Sequence, residues 1–450
     1  MVQLIQTVRN VSAVLIFVVI LSILPLSVAR PVEAMEGLIP KLEPVQHVSS
    51  NPNLYVSAEN PLFKNYFAGP MVVEVIVSDP DIQRLDQAYG EPVVTVNGKR
   101  LHMAQGTDGN WYAYFADRNE AIAAANTAVL TGKGLNFGGF CGPNSSFSPK
   151  AGVDYSETVG FTVARGGYNS INDTNNAGSK ITAANLPSCT NTKDTLTTNQ
   201  MEHVVRENNT LNTNTAGFAA SSQYENVWPI IQLYDFSGVP TPVTVDYQKG
   251  GGDQAVNLIF DRIPSNLIHV YAPRPDFPPG SQIQGDLLDP QLNIDPTSDD
   301  SWTWGASPTN NTLYYMAFDR NGKPDADGTL AMQNLVGNLT TFMFNHNGRL
   351  TENAKPQGVV VFESQSNGIQ TLFKASDGLM RTESINPLSA PITLREIQAN
   401  AGIFGDYDEG GIADLVMKND APRDKSFTID YNDRSYTVIV KYHTATLTMG

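Results

Sequence analysis

The chain has 450 residues, of which 41% are hydrophobic and only 16% are charged, and its formal net charge is −16. This hydrophobic fraction excludes an intrinsically disordered protein, and the length allows about two to four domains. The excess of negative charge argues against nucleic acid as a partner, because nucleic-acid binding requires a basic surface, and it favours cations.

The N-terminus is predicted to be a secretory signal peptide that covers residues 1–29. Arg9 precedes an apolar run, Val11–Leu26, and Ser27-Val28-Ala29 supplies a small-x-small cleavage site. Val32-Glu33-Ala34 is a second possible cleavage site. An uncleaved anchor helix is the alternative, because the apolar run reaches the lower edge of membrane-spanning length. We expect cleavage, so that the mature protein is secreted and lies at the cell surface.

Residues 30–69 are interrupted by prolines and are predicted to form an extended lead-in to a β-domain at residues 70–130. Within that domain, Asn97-Gly98 indicates a hairpin, because this dipeptide adopts the positive φ angles of a type I′ turn. Trp111–Phe115 is typical of a further strand, and the alanine-rich Glu120–Val129 indicates a short helix.

Residues 131–266 are predicted to form a second β-domain with long polar loops. Its two cysteines, Cys141 and Cys189, favour one disulfide because the chain is predicted to be secreted, with two free thiols as the alternative. The Asn-x-Ser/Thr sequons outside the signal peptide are predicted to be glycosylated in surface loops; they begin at Asn144, Asn172, Asn208, Asn310 and Asn338.

A short sequence echo marks the ends of two units. Val243–Gln248 (VTVDYQ) recurs as Phe427–Asn432 (FTIDYN), and apolar strands are predicted after each copy. We therefore predict a further domain over residues 267–443, with one helix-like segment at Thr393–Ala401. Residues 444–450 are predicted to be the first strand of another unit, which either belongs to a longer protein or pairs with a neighbouring subunit.

Acidic residues concentrate in four stretches that are predicted to bind Ca²⁺. This cation binds hard oxygen ligands on loops, and neighbouring carboxylates repel one another unless a cation or solvent separates them. The densest stretch is Gln284–Gly305, where a solvated acidic loop is the alternative. The candidate ligands in the four stretches are Asp286, Asp289, Asn293, Asp295, Asp299 and Asp300; Asp319, Asn321, Asp325 and Asp327; Asp79 and Asp81; and Asp406, Asp408 and Glu409.

The densest acidic stretch also contains a distinctive motif, Leu-Asp-Pro-Gln-Leu-Asn-Ile-Asp-Pro at Leu288–Pro296, which Asp-Ser-Trp follows. Further blocks of the same kind are Thr312–Thr329, Gly402–Glu409 and Thr428–Asp433 downstream, and Met71–Ile82 and Val96–Arg118 upstream. The motif and these blocks resemble the immunoglobulin-like repeats of archaeal surface-layer (S-layer) proteins. The block at Val96–Arg118 resembles the first domain of S-layer proteins from ammonia-oxidising archaea.

Frequent turn signals and rare helical periodicity predict an all-β fold, and the resemblance implies tandem immunoglobulin-like β-sandwich domains with few short helices. The implied function is structural: self-assembly into a porous, acidic, Ca²⁺-stabilised lattice on the cell surface. The expected partners are other copies of the chain and the cell membrane or a membrane anchor protein. No enzymatic activity is expected. The alternatives are an adhesin and a secreted carbohydrate-active enzyme with Asp235 and Glu363 as its carboxylates.

Overall fold

Strands account for most of the regular structure in the computed structural model, and the all-β fold predicted from the sequence is confirmed. The structure describes residues 51–87, 89–126, 135–143, 145, 155–163, 182–189, 204–207, 209–212, 228–238, 242–307, 310–317, 333–334, 339–345, 350–352, 360–362, 371–374, 380–382, 389–407, 413, 415–417, 419–432 and 434–442. All of these residues belong to one compact unit, His47–Gly450. No helix among them is long and apolar enough to cross a membrane. The predicted signal peptide and the predicted final strand lie outside the described residues.

Strands β1 to β12 build two sheets in the first part of the described chain. In chain order they are Leu54–Val56, Tyr66–Phe67, Val73–Val77, Val94–Val96, Lys99–Leu101, Ala104–Gln105, Trp111–Asp117, Gly139–Cys141, Phe161–Val163, Ile230–Tyr234, Val243–Tyr247 and Gln254–Phe260. One sheet has the order β1-β3-β7-β10-β9-β8, with β6 also paired to β7, and the other has the order β2-β12-β11-β4-β5.

An aromatic cluster fills the space between these two sheets. Phe67 of β2 lies with its ring centroid 6.2 Å from that of Phe115 on β7, and 5.0 Å from that of Phe260 on β12. Phe236 contacts the same rings and follows β10 in the chain. Because edge-to-face and tilted rings bury large apolar areas, this cluster holds the sheets face to face as a β-sandwich.

The predicted Asn97-Gly98 hairpin is confirmed. Asn97 has a φ of 51° and Gly98 a φ of 76°, and strands β4 and β5 on either side pair antiparallel. The predicted strand Trp111–Phe115 is confirmed within β7, all of whose residues are buried. The strand is buried throughout because it lies between β3 and β10 in the middle of its sheet.

Strands from both sides of residue 131 share these two sheets. β10 pairs parallel with β7, and β11 pairs antiparallel with β4. In addition, β1 and β2 come from residues that the sequence predicts to be an extended lead-in, and they pair with β3 and β12. The boundary predicted between residues 130 and 131 therefore falls between strands that pair with each other.

Strands β13 to β28 follow in the second part of the described chain. In chain order they are His269–Tyr271, Asp276–Phe277, Gln282–Ile283, Asp286–Leu288, Ser301–Ser307, Asn310–Ala317, Gln333–Asn334, Leu350–Glu352, Val360–Phe362, Thr371–Lys374, Met380–Thr382, Ser389–Glu396, Ile403–Gly405, Leu415–Met417, Ser426–Tyr431 and Arg434–Val440. The largest sheet has the order β13-β16-β25-β24-β17-β18-β20-β27-β28-β14, with β19 paired to β18. Two smaller sheets are β15-β26-β21 and β22-β23.

The two copies of the sequence echo have the same strand pairing. The first copy, in β11, forms an antiparallel pair with β12, and the second copy, in β27, does so with β28. β12 then pairs parallel with β2, just as β28 pairs parallel with β14. We call residues 51–264 the first repeat and residues 265–442 the second repeat.

One predicted helix is present and the other is wrong. The helix α1 (Arg118–Ala125) overlaps the predicted Glu120–Val129, of which residues 127–129 lie outside the described residues. At Thr393–Ala401, by contrast, the chain continues strand β24 to Glu396 and then turns. β24 lies between β17 and β25, and Leu394 and Glu396 are buried while Arg395 between them is half-buried. This alternation belongs to a strand, and sheet pairing overrides the helical propensity of the segment.

We expect Asp117→Ala to lower the free energy of unfolding by about 2–4 kcal/mol. Asp117 caps α1 by accepting from the backbone N–H groups of Asn119 and Glu120 through Oδ1, at 2.8 and 3.0 Å. Its Oδ2 accepts from the buried N–H of Phe236 at 3.0 Å. Alanine would remove both functions. Chemical denaturation measures the change, and Asp117→Asn, which keeps one acceptor oxygen, should lose clearly less. Equal stability of the alanine variant and the wild type would contradict this role.

Candidate functional site

Three aspartates of the acid-rich segment 284–305 lie in the interior of the protein, and the segment contacts the first repeat. Asp289 and Asp295 are 0% exposed, and Asp300 is 2% exposed. The backbone N–H of Val72, in the first repeat, donates to the carbonyl of Ile294 at 3.0 Å. A solvated acidic loop, the alternative considered from the sequence, is therefore wrong for these three aspartates.

Asp289 begins a tight turn and binds a distant tyrosine. Its Oδ1 accepts from the N–H of Gln291 at 3.0 Å, and its carbonyl accepts from the N–H of Leu292 at 3.2 Å. Its Oδ2 accepts from the hydroxyl of Tyr431 at 2.7 Å. The proline that follows suits the turn because its φ is already fixed near the required value. The turn is thereby tied to β27, where the second copy of the echo lies.

Asp79 repeats this arrangement in the first repeat. Its Oδ1 accepts from the N–H of Asp81 at 3.0 Å, and its carbonyl accepts from the N–H of Ile82 at 3.0 Å. Its Oδ2 accepts from the hydroxyl of Tyr247 at 2.7 Å. Tyr247 occupies the position in the first copy of the echo that Tyr431 occupies in the second. Each repeat therefore contains the same Asp-Pro turn, locked by the tyrosine of its echo.

The two turns differ in electrostatics. Burial raises the pKa of Asp79, but hydrogen bonds from Lys249 and Tyr247 outweigh this effect and hold the pKa below its ordinary value. Lys249 lies with Nζ 2.7 Å from Asp79 Oδ2. At Asp289, burial dominates and raises the pKa to about 6, although hydrogen bonds from Gln291 and Tyr431 partly offset it. Asp79 is therefore a carboxylate at neutral pH, whereas the pKa of Asp289 lies closer to neutral pH.

Arg206 reaches from the first repeat into the acidic segment of the second. Its Nε lies 3.1 Å from Asp295 Oδ2, and one terminal nitrogen lies 3.4 Å from Asp300 Oδ1. Its backbone N–H donates to Asp295 Oδ2 at 3.1 Å, and the same terminal nitrogen donates to the carbonyl of Asp299 at 3.1 Å. The Arg206 side chain is 4% exposed. A buried guanidinium with these partners joins the two repeats by charge as well as by hydrogen bonds.

Glu396 completes this buried group of charges. Its Oε1 accepts from the N–H of Gly402 at 2.7 Å, and its Oε2 accepts from the N–H of Asp300 at 3.2 Å. Asp300 Oδ2 in turn accepts from the N–H groups of Ile294 and Asp295. We call Arg206, Asp295, Asp300 and Glu396 the acidic junction.

Two carboxyl groups of the acidic junction, those of Asp300 and Glu396, favour their neutral forms. Burial raises the pKa of Asp300 to about 8, against the lowering effect of Arg206 and with a further increase from Asp295. Burial and the nearby Asp300 raise the pKa of Glu396 well above its ordinary value. Burial also raises the pKa of Asp295, even though Arg206 opposes it. The acidic junction thus contains three buried acids but only one guanidinium, so it retains protons at neutral pH.

A second buried group lies next to the acidic junction. The hydroxyl of Tyr114 on β7 contacts Glu74 Oε1 on β3, at 3.1 Å, and also contacts Glu207 Oε2. Tyr114 is fully buried, and Glu74 and Glu207 are each 7% exposed. Glu207 directly follows Arg206 in the chain. Asp295 lies close enough to act on the charge of Glu74, so the two groups interact. We call Glu74, Tyr114 and Glu207 the glutamate–tyrosine clasp.

The remaining predicted Ca²⁺ ligands of the described chain have protein partners as well. Asp286 accepts from the hydroxyl of Tyr407 at 3.0 Å, and Asp299 pairs with Arg395 at 2.8 Å. Asn293 donates to Asn400 Oδ1 at 2.8 Å. Asp406 accepts from the N–H of Gly285 at 2.7 Å. Asp81 Oδ2 lies 3.6 Å from Lys249 Nζ, although the Asp81 side chain is 82% exposed. Six predicted ligands lie outside the described residues: Asp319, Asn321, Asp325, Asp327, Asp408 and Glu409.

Within the described ranges, no group of three or more His, Cys, Asp or Glu side chains is arranged to hold a metal ion. Arginine, tyrosine and backbone N–H groups contact the acids of segment 284–305. Binding of Ca²⁺ by this protein stays a prediction.

The predicted disulfide is confirmed. Cys141, at the end of β8, is bonded to Cys189, with a Cα–Cα distance of 5.3 Å. The hydroxyl of Ser145 supports the bridge by accepting from the N–H of Cys189 at 3.1 Å. Among the predicted glycosylation sites, Asn310 is the first residue of β18, and Asn144, Asn172, Asn208 and Asn338 lie outside the described residues.

Asp235, one of the two carboxylates considered for an enzyme, is engaged in local contacts. It pairs with Arg118 at 3.0 Å and accepts from the N–H of Ser237 at 3.0 Å. Burial raises its pKa, but the hydrogen bonds from Ser237 and the charge of Arg118 lower it below the ordinary value. The other carboxylate, Glu363, lies outside the described residues.

Several residues of the site were not predicted from the sequence. Arg206 and Glu207 fall in a polar stretch expected to be loop, Glu74 interrupts an apolar strand, and Glu396 falls in the segment wrongly predicted as helix. A usable signal did exist for the turns, because Asp-Pro occurs at Asp79 and Asp289 in the two repeats. For Glu74, the signal was a charged residue within a strand of valines and isoleucine.

Comparison with known proteins adds no relative. No protein-family model matches the chain, and no curated protein matches it.

Proposed function

We propose that this chain is a structural protein of a cell-surface layer, secreted and assembled with copies of itself into a porous, acidic, two-dimensional lattice stabilised by Ca²⁺. The proposal includes tandem immunoglobulin-like domains and glycosylation of the predicted sequons. It rests on the sequence resemblance to archaeal S-layer proteins and on the way in which the two repeats are joined.

The position of the motif Leu288–Pro296 is the observation that carries the proposal. This motif has the strongest resemblance to S-layer proteins, and it contains the Asp-Pro turn of the second repeat and part of the acidic junction. Domains of one chain move relative to each other unless their interface is extensive. Buried charges, backbone hydrogen bonds and the bond from the Asn400 side chain to the carbonyl of Ser57 restrict that motion here. A rigid joint suits a protein that must repeat one shape across a lattice.

The repeated lock supports a modular structural protein. Asp79 with Tyr247, and Asp289 with Tyr431, hold equivalent turns in two units that lie in tandem. Each unit also joins an early strand to a late one by parallel pairing. Proteins that extend over a surface are commonly built by repeating one such unit.

We expect purified full-length protein to form ordered sheets in Ca²⁺ and to disperse in EDTA, as seen by negative-stain electron microscopy. Acidic surfaces that approach each other in a lattice repel unless a divalent cation neutralises them. Arg206→Met, which loosens the joint between repeats, should give disordered sheets, whereas the matched variant Arg84→Met, at an exposed ion pair, should assemble as the wild type does.

Two outcomes would contradict this function. Monodisperse monomers in Ca²⁺ that hydrolyse a polysaccharide would favour a carbohydrate-active enzyme, and monomers that bind cells without assembling would favour an adhesin. Sheets that persist unchanged in EDTA would retain the lattice and remove Ca²⁺ from the proposal.

A further inference from the structure

Protons must be shared within the glutamate–tyrosine clasp. The single hydroxyl of Tyr114 contacts a carboxyl oxygen of Glu74 and a carboxyl oxygen of Glu207. A phenol has one proton and can donate it to only one of them at a time. The other contact would place two oxygens together without a hydrogen, unless one glutamate is a carboxylic acid and donates in return. Glu207 also acts on Glu74 directly, since its charge and side-chain hydrogen bonding both raise the pKa of the Glu74 carboxyl group.

The surroundings of the clasp favour this proton. The titratable groups that face Glu74 are Tyr55 from β1, Tyr114 from β7, Glu207 and Asp295. Tyr112 faces Glu207 from the same strand as Tyr114. Each of these groups is neutral when protonated and negative when ionised, so none of them supplies a positive charge. The nearby guanidinium of Arg206 is bound to Asp295 and Asp300. Ionising both glutamates would therefore place two buried negative charges side by side.

We propose that Glu74, Tyr114 and Glu207 form a proton-operated clasp, in which a shared proton holds segment 204–207 against the first repeat and loss of that proton in mildly alkaline solution releases the segment. Because Glu207 directly follows Arg206, release of the clasp also withdraws the guanidinium from Asp295 and Asp300. The joint between the two repeats thus responds to pH through a site in the first repeat.

The direction of the response follows from the charge of the clasp. Burial, and then the charge of Glu207, raise the pKa of Glu74 to about 8, above its ordinary value. An acid with a raised pKa binds its proton more tightly in the folded state than in the unfolded state. Its contribution to stability is fully present below the ordinary pKa and is lost as the pH rises through about 8.

Limited digestion of the full-length protein with trypsin tests the clasp directly, because trypsin cleaves after arginine and Arg206 lies inside the segment. Arg423, whose side chain is 64% exposed, serves as the reference site in the same digest. We expect the ratio of cleavage after Arg206 to cleavage after Arg423 to rise by up to about tenfold per pH unit as the pH approaches about 8, and to level off above that value. A ratio that stays flat from about pH 6.5 to about pH 9.5 would overturn the proposal.

Two variants separate the clasp from other buried acids. Glu74→Gln introduces an amide, which donates a hydrogen bond but does not titrate. We therefore expect the cleavage ratio of this variant to stay low and not to change with pH. Asp286→Asn is the matched control: Asp286 is a buried acid that accepts from the hydroxyl of Tyr407, outside the clasp, so its variant should keep the pH response of the wild type. A wild-type response in Glu74→Gln, or loss of the response in Asp286→Asn alone, would refute the clasp.

If Glu74→Gln does not fold, Glu207→Gln replaces it, with the same expectation. If neither variant folds, the wild-type digest decides on its own. Cleavage that rises at Arg206 while circular dichroism stays constant supports local release. Cleavage that rises at every arginine alike means general unfolding and contradicts it.

Discussion

Arg206→Met is expected to cost about 3–5 kcal/mol of unfolding free energy at neutral pH. The guanidinium is 4% exposed and lies against Asp295 and Asp300, which are 0% and 2% exposed. Methionine fills a similar volume but leaves both carboxyl groups without their cation. Removing one partner of a buried ion pair costs more than the pair contributes, because a buried charge then lacks a counter-ion. Chemical denaturation of both proteins measures the difference.

The loss in Arg206→Met should shrink as the pH falls. Asp300, whose pKa burial raises to about 8, already holds a proton at neutral pH. Without the guanidinium, Asp295 must take up a proton as well, and it does so more readily at low pH. The penalty is therefore larger at about pH 7 than at about pH 5. Arg84→Met is the matched control, since the ion pair of Arg84 with Asp86 lies in solvent and should leave the denaturation midpoint unchanged. A loss in Arg206→Met that is the same at both pH values would contradict the buried-charge explanation.

Loss of the Cys141–Cys189 disulfide is expected to lower stability by about 3–4 kcal/mol. The bridge joins residues 48 positions apart, and it removes conformational freedom from the unfolded chain in proportion to the logarithm of that separation. The double variant Cys141→Ser/Cys189→Ser should therefore melt roughly 5 °C lower than the oxidised wild type in differential scanning calorimetry.

Reductant provides the control for the disulfide. It should lower the melting temperature of the wild type toward that of the double variant and leave the double variant unchanged. Oxidised wild type and double variant that melt together would show that the bridge does not constrain the unfolded chain. Mass spectrometry of non-reduced peptides establishes the pairing in the same sample.

Local signals in the sequence predicted much of the fold. Asn97-Gly98 defines its hairpin because two consecutive residues with positive φ are rare outside such turns. The disulfide was predictable because only two cysteines are present. The prediction of a helix at Thr393–Ala401 was wrong because local propensity contains no information about the neighbouring strands β17 and β25. The partners of β7 and β10 were unpredictable for the same reason, since a parallel pair is joined across a long stretch of chain.

Little of the site could be predicted, because its partners are far apart in the chain. Tyr247 and Tyr431 were visible as part of the echo, but the aspartates that they bind lie 168 and 142 residues away. The clustering of acids in segment 284–305 drew attention to the segment that contains the buried Asp289, Asp295 and Asp300. Nothing local shows that Arg206 and backbone N–H groups lie against these acids, and binding of Ca²⁺ there stays a prediction.

The parallel pairing of β2 with β12, and of β14 with β28, determines how each repeat responds to tension. An early strand and the last strand of a repeat lie side by side and point the same way. A pull that separates the two ends of the repeat therefore slides these strands along each other. The bonds that resist it, from Ile259 to Asn65 and from Ile439 to Pro275, are loaded together and not one after another. In each repeat, the parallel strand pair therefore connects the beginning of the repeat to its end and is loaded in shear. Stretching the chain meets its strongest resistance at this pair, before either core is exposed.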